Sequence, residues 1–443
     1  MDHFVLRNGE LYCEDVSLAE IADEVGTPVY VYSTATMLRH VDVLRSGLDG
    51  LDDPLIAYAV KANPNAAVLA TLASSGLGAD VVSGGEIRRA RAAGIPASKI
   101  VFSGVGKTEA EMKLALEVGV FQFNLESVAE ADALSAVATR MGKTAPVAFR
   151  VNPDVAAETH AKITTGVAES KFGVAIGEAA DAYAHAARLP GLSVQGVAVH
   201  IGSQLTNLSP LEKAFTRVGE LIAQLRSQGC TIAVADLGGG LGVPYNPDLP
   251  HPPGPPEYGE MVRRITRNWN VRLMFEPGRL LVGNAGVLLS RVIRIKPGAT
   301  NPFVIVDAAM NDLMRPALYD AWHQIDAVRP SGKRWTANVV GPVCESGDTF
   351  ATAREMDRVD AGELVVFRTA GAYAAAMSST YNSRPLTPEV LVDGDRWAVV
   401  RPRVDVEAMI PADKVPDWLS QGRRAEMVEQ PVVEDADGSA LQS

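Results

Sequence analysis

Between Leu55 and Arg279, short apolar runs alternate with longer stretches whose apolar residues recur at helical spacing, and loops rich in Gly, Ser or Asn separate the two. Eight such runs occur: LIAYAVK from Leu55, LGADVVS from Leu77, IVFSG from Ile100, VFQFNLES from Val120, PVAFRVN from Pro146, VQGVAVHIG from Val194, IAVADLGGG from Ile232 and VRLMFEPGR from Val271. Their continuity is that of strands buried on both faces. Eight strands alternating with helices predict an α/β fold, a (β/α)8 barrel of the TIM type; an open doubly wound sheet is the alternative, disfavoured by the count and the extent. After Arg279 the runs are shorter and more β-branched (RVIRI, FVIVDA, WTANVVG, ELVVFRT, RWAVVRP), broken by Gly, Pro and Asp, which predicts a second, all-β domain. The expected division is an N-terminal segment over 1–28 packing with the β domain, the barrel over 29–280, the β domain over 281–427 and a disordered acidic tail over 428–443. The long connection over 152–176 has the position of a lid, and HPPGPPE, from His251, reads as a stiff surface loop.

Composition narrows the partners. A chain of 443 residues, 47% hydrophobic, can bury a large core, while a formal charge of -12 and a pI near 5.2 speak against nucleic acid or an anionic membrane. A small molecule is the expected partner. The opening MDHFVLRNGE lacks the pattern of a signal peptide and no run approaches the length of a bilayer span, so a cytoplasmic location is expected. Cys13, Cys230 and Cys344 have neither metal-ligand spacing nor the density of a disulfide framework, so no metal is expected.

In a (β/α)8 barrel the active site lies at the carboxyl ends of the strands. Here those ends are polar: Lys61, Asp80, Ser83, Ser103, Asn124, Glu126, Arg150, His200, Ser203, the glycines 238–240, Glu276 and Arg279. Lys61 closes an apolar strand and is followed at once by the turn-forming Asn-Pro-Asn. A lysine there can snorkel into water; the alternative is an amine held in a dry pocket with a lowered pKa, ready to form a Schiff base. DLGGGLG, from Asp236, lets backbone amides approach a phosphate without obstruction by Cβ atoms. A dinucleotide fingerprint would need glycine where Val243 stands, and GKT at Gly106 lacks the P-loop glycine because Val101 occupies its place. A lysine, a phosphate cradle, the flat ring of His200 and a buried carboxylate at Glu276 together point to pyridoxal 5'-phosphate, with the carboxylate keeping the pyridine nitrogen protonated.

YAVKANPN, GADVVSGGE, GVGKT, HIGSQ, DLGGGLGVPY, EPGR, RPALYDAWH, CESGD and GAY...YNSRP, in that order, resemble bacterial diaminopimelate decarboxylases, fold type III enzymes that use pyridoxal phosphate, over about Leu18 to Pro402. The resemblance implies decarboxylation of meso-2,6-diaminopimelate to L-lysine, the last step of lysine synthesis. It makes Lys61 the Schiff-base lysine, His200 the residue stacked on the ring, and Ser203 with Gly239 and Gly240 the phosphate site. Glu276 becomes the partner of the pyridinium; Gly278 and Arg279 of the same motif lie near the phosphate, Arg279 also near substrate. Arg315, Tyr319, Glu345 and Tyr373 resemble the groups that hold the substrate's distal end and the cofactor. Cys344 resembles a proton donor that the second subunit of a homodimer supplies. The alanines after Tyr373 depart from the family's pattern.

Other readings of the same residues are plain. Cys344 can be a small buried hydrophobe, and Arg315 and Glu345 can pair with each other. A polyamine-type decarboxylase would have no distal carboxylate to occupy Arg315, an alanine racemase would pair the ring nitrogen with arginine, and a non-catalytic binding homologue has little reason to keep Lys61, Glu276 and Cys344 together.

Overall fold

The structure, a computed structural model, describes residues 2–155 and 171–419. The expected tail over 428–443 and the central part of the 152–176 connection lie outside the described residues.

The eight apolar runs form eight parallel strands: Leu55–Ala59, Gly78–Val81, Ile100–Phe102, Gln122–Leu125, Ala145–Asn152, Leu192–Val199, Val234–Asp236 and Arg272–Phe275. Each pairs with the next, and Arg272–Phe275 pairs back onto Leu55–Ala59 through Met274 with Leu55 and Phe275 with Ile56, closing the barrel. Register aligns the functional ends: Ala59 lies opposite Asp80, and Asp236 lies between Ala198 and Met274. Several strands hand over to helices capped by the loop at the catalytic end, as where Ser83 accepts from Glu86 N and Ser127 from Glu130 N, both at 3.2 Å. HPPGPPE is not a loop throughout, because its second proline pair opens the helix Pro255–Thr266, where a proline costs no hydrogen bond.

The second domain is built around the long strand Gly286–Lys296, which pairs antiparallel with Phe303–Val306, Leu364–Phe367 and Val29–Ser33. Val29–Ser33 also runs parallel to Glu389–Asp393. The expected start of the barrel at residue 29 is therefore corrected: this strand belongs to the β domain, and the barrel begins with the helix Thr34–Gly47. The hairpin Phe4–Arg7 and Glu10–Cys13 joins the same domain, with Leu11 N donating to Val328 O at 2.8 Å and Phe4, Leu11 and Cys13 sharing an apolar core with Leu289, Val366 and Val390. The main core is continuous across both units, running from Phe123 and Phe149 on the helix-facing side of the barrel strands to Tyr30, Leu288 and Phe367. The polar strand ends open onto this junction.

Candidate active site

Lys61 occupies the short turn Val60–Ala62 that follows the first barrel strand. The Asn-Pro-Asn after it fixes the turn: Asn63 Nδ2 donates to Gly371 O at 3.1 Å and Asn65 caps the helix Ala66–Ser74 by accepting from Ala67 N at 2.9 Å. The lysine side chain stays 40% exposed, to a cavity of about 790 Å³ that it lines. Its Nζ lies 3.1 Å from Asp80 Oδ2, while Asp80 Oδ1 is buried without a hydrogen-bond partner. The expectation of a lowered lysine pKa is corrected by this pairing. Burial does disfavour the ammonium, but Asp80, with Tyr373 and Glu276 behind it, outweighs burial and moves the pKa above lysine's ordinary value.

Below the cavity lies a bed of buried acids and amides. Asn124 Nδ2 donates to Asp236 Oδ2 at 2.8 Å and reaches Ser103 Oγ at 3.1 Å and Glu276 Oε1 at 3.4 Å. Glu276 is hydrogen-bonded to Asp236, and burial, then the facing Asp236 and Asp80, raises its pKa well above the carboxylate range. Two desolvated carboxyls side by side cannot both ionise, so the pair keeps a proton at neutrality.

His200 directly follows the sixth strand and accepts from Gly239 N through Nδ1 at 3.2 Å, which leaves the ring's proton on Nε2. Burial, with Arg150 and Lys61 nearby, pulls its pKa well below the usual histidine value, so the ring is neutral and flat. The glycine loop beside it is clamped by Gln204, whose amide donates to Val243 O at 2.6 Å and accepts from Val243 N at 3.2 Å, and by Leu205 N donating to Gly240 O at 2.8 Å. Two positions require glycine. A Cβ on Gly239 would lie 2.2 Å from Glu276 O, and Gly240 adopts a φ of +108° that side chains disfavour. Gly239→Ala should therefore lower stability by about 1–3 kcal/mol and weaken cofactor uptake by the apoprotein. A thermal melt and an absorbance titration with pyridoxal phosphate check this; parental values for both would show that the loop yields.

Arg279 donates to the Tyr245 hydroxyl and to Ser203 Oγ at 3.3 Å, and its guanidinium lies 4.9 Å from the Tyr373 ring centroid. Tyr373 holds a left-handed φ of 53° and ties the domains together through its N–H, which donates to Ala62 O at 2.8 Å. Such strain in a non-glycine residue is held only by surrounding contacts and clusters at functional sites. The alanines after it are accommodated by burial, Ala374 and Ala375 both belonging to the main core. Arg315, from the β domain, is only 6% exposed, faces the same cavity, and bonds to His323 rather than to Glu345. No carboxylate among the described residues pairs with Arg279 or Arg315. Two buried cations lodged among hydroxyls and rings, with Arg279 Nε left without a partner, prepare the cavity for anionic groups.

The glycine cradle, the unmatched arginines, the neutral histidine and the proton-holding carboxyl pair fit pyridoxal phosphate. Lys61, His200, Ser203, Gly239, Gly240, Glu276, Gly278, Arg279, Arg315, Tyr319 and Tyr373 all line the one cavity. Cys344 and Glu345 do not. They lie exposed on a loop that Asp348 builds from within, accepting from Met310 N at 2.6 Å and Val343 N at 2.7 Å.

Residues 36–283 match the family model for the pyridoxal binding domain of pyridoxal-dependent decarboxylases. A diaminopimelate decarboxylase from Zymomonas mobilis is 54% identical over 418 residues, 94% of this chain and 99% of the relative. The chain belongs to the diaminopimelate decarboxylase family. Two solved diaminopimelate decarboxylases in complex with L-lysine superpose closely: that of M. jannaschii with a TM-score of 0.89 at 35% identity, covering 94% of this chain and 99% of its own, and that of Helicobacter pylori with 0.86 at 36% identity, covering 89% and 98%.

Within this diaminopimelate decarboxylase framework, Asp236 and Tyr245 were missed by sequence reasoning. Asp236 ends the seventh strand and precedes the glycine run, so the strand-end rule that singled out Asp80 reaches it too. Tyr245 closes the DLGGGLGVPY motif, yet its role as a surface shared by two arginines needed the fold to bring them together.

Proposed function

We propose that this chain decarboxylates meso-2,6-diaminopimelate to L-lysine and carbon dioxide with pyridoxal 5'-phosphate, the last step of lysine synthesis, acting as a homodimer in the cytoplasm. The observation that carries this reading is the pair of buried arginines, Arg279 at the end of the barrel and Arg315 from the β domain, both facing the cavity that Lys61 lines.

When bound, pyridoxal phosphate supplies the conjugated ring that takes up the electron pair left as carbon dioxide departs. The chain's own residues do the rest. Lys61 offers the amine that anchors the cofactor, and Asp80 holds a proton at Nζ whenever that amine is free. The loop 238–242, Ser203 and Arg279 receive the phosphate, and the neutral face of His200 lies flat for a ring. Glu276 would face the ring nitrogen and share with it the proton that the buried Glu276–Asp236 pair retains. Arg315 takes the distal carboxylate, with Tyr319 and Tyr373 beside it. Glu345 and Cys344 reach the neighbouring subunit's site, Glu345 to meet the distal ammonium and Cys344 to protonate the carbon that has lost its carboxylate. Their exposure on a loop braced by Asp348 supports delivery to a second subunit. No helix among the described residues is long and apolar enough to cross a membrane.

A decarboxylation assay over diaminopimelate, ornithine, arginine and lysine should give turnover with diaminopimelate alone; comparable release of carbon dioxide from ornithine would replace the proposed substrate. Borohydride treatment of the holoenzyme should fix the cofactor on Lys61, as peptide mapping will show. Lys107, another lysine near the strand ends, is committed to Gly104 O, Asn124 O and Glu130 at 2.7–2.8 Å, and label found there would refute the anchoring role of Lys61.

A further inference from the structure

The environment of Arg315 is unusual for a buried guanidinium. The common solution is a carboxylate, which supplies bidentate geometry and cancels the charge together. Here Arg315 Nη1 lies 2.9 Å from His323 Nε2, and the guanidinium stacks 4.5 Å from the centroid of Tyr245. His323 is 1% exposed, and its Nδ1 lies 2.8 Å from the carbonyl oxygen of Arg368. A carbonyl can only accept, so Nδ1 carries the proton and Nε2 offers a lone pair to Arg315. Burial, with Arg315 alongside, pushes the imidazole pKa down to about 3, in keeping with a neutral ring. The rest of the shell repeats the pattern. Tyr245 meets His323 edge-on, with centroids 5.4 Å apart and an interplanar angle of 83°, and the His323 carbonyl is held by Arg354 Nη1 at 2.7 Å.

We propose that His323, with Tyr245, is a positioning residue for substrate specificity: the pair fixes the Arg315 fork without neutralising it, reserving its charge for a ligand carboxylate at the distal end of the site. This rests on the function proposed above. Decarboxylation at one end of meso-diaminopimelate leaves the distal amino-acid centre intact, so the product L-lysine still carries the carboxylate that Arg315 would hold. Cadaverine, the diamine of the same chain length, lacks it. The ratio of their affinities for the holoenzyme therefore isolates the distal carboxylate contact, and changes in cofactor loading or folding cancel from it.

The test is an absorbance titration of holoenzyme with L-lysine and with cadaverine, for the parent and for His323→Gln, His323→Leu, His323→Asp and Arg315→Met. The parent should prefer L-lysine. His323→Gln, which keeps a neutral acceptor, should hold that preference to within about threefold, whereas His323→Leu should lower it about tenfold or more. His323→Asp should lower it at least as far, although the aspartate holds the guanidinium well, because it cancels the charge. A purely structural role would shift melting temperature and both affinities together and leave the ratio alone. If Arg315→Met collapses the preference while His323→Leu and His323→Asp keep it, His323 does not position the arginine and the inference fails. If Arg315→Met itself keeps the preference, the placement of the substrate's distal end fails instead. Should His323→Asp not fold, the contrast between His323→Leu and His323→Gln decides the same question.

Discussion

Mixing Lys61→Ala subunits with Cys344→Ala subunits should restore about a quarter of the parental activity from two preparations that are each nearly inactive. In a two-fold dimer with shared sites, a mixed pair carries both lesions in one site and neither in the other. Random reassortment puts half of the subunits into mixed pairs, and half of the sites in those pairs are intact. The structure motivates the experiment by what it separates: Lys61 lines the barrel cavity, while Cys344 stands exposed on the loop over Asp348 and does not line it. If Cys344 served its own chain's Lys61, every site in the mixture would carry one lesion. Activity that stayed at the single-variant level after verified subunit exchange would therefore sink the shared site.

Arg315→Met should cost about 2–5 kcal/mol of diaminopimelate binding, because a desolvated carboxylate would lose the guanidinium that faces it. That is roughly a thirty-fold to several-thousand-fold fall in kcat/KM. The holoenzyme's absorbance should survive, since Arg279, Ser203 and the glycine loop are untouched. An unchanged kcat/KM would make Arg315 a structural cation held by His323 and nothing more.

The barrel was legible because its strands are covered on both faces and so read as unbroken apolar runs, and because the residues that end them sit where water and ligand enter. Lys61, His200 and Glu276 follow from that rule without further help. Val29–Ser33 did not, for the same reason in reverse: all five residues are buried, and burial on both faces does not distinguish a barrel strand from one in the middle of the β domain's sheet. The direction of the Lys61 pKa was hidden because it depends on Asp80, one strand over, and adjacency across a barrel is a matter of register. Arg315 lines the cavity, and the plain alternative that it pairs with Glu345 does not hold. Glu345 is the charge-complementary partner in the sequence, whereas the contact went to His323, eight residues along, through a turn whose Asp320 adopts a left-handed φ of 51°.

The position of Val29–Ser33 governs how the two domains can move. The chain enters the barrel from this strand and leaves it into Gly286–Lys296, and the two are adjacent rungs of one ladder, with Tyr32 opposite Gly286 and Ser33 N donating to Ala285 O at 2.8 Å. The barrel is thus an insertion in the β domain, suspended from it by two neighbouring tethers. One tether would permit swivelling about its own bonds; two side by side resist torsion, and the bond from Tyr373 N to Ala62 O adds a third restraint beside Lys61. Rotation that carried Arg315 away from Lys61 would strain both tethers and the bond from Tyr373 N to Ala62 O, so under the proposed roles of these two residues their separation would act as a ruler for substrate length.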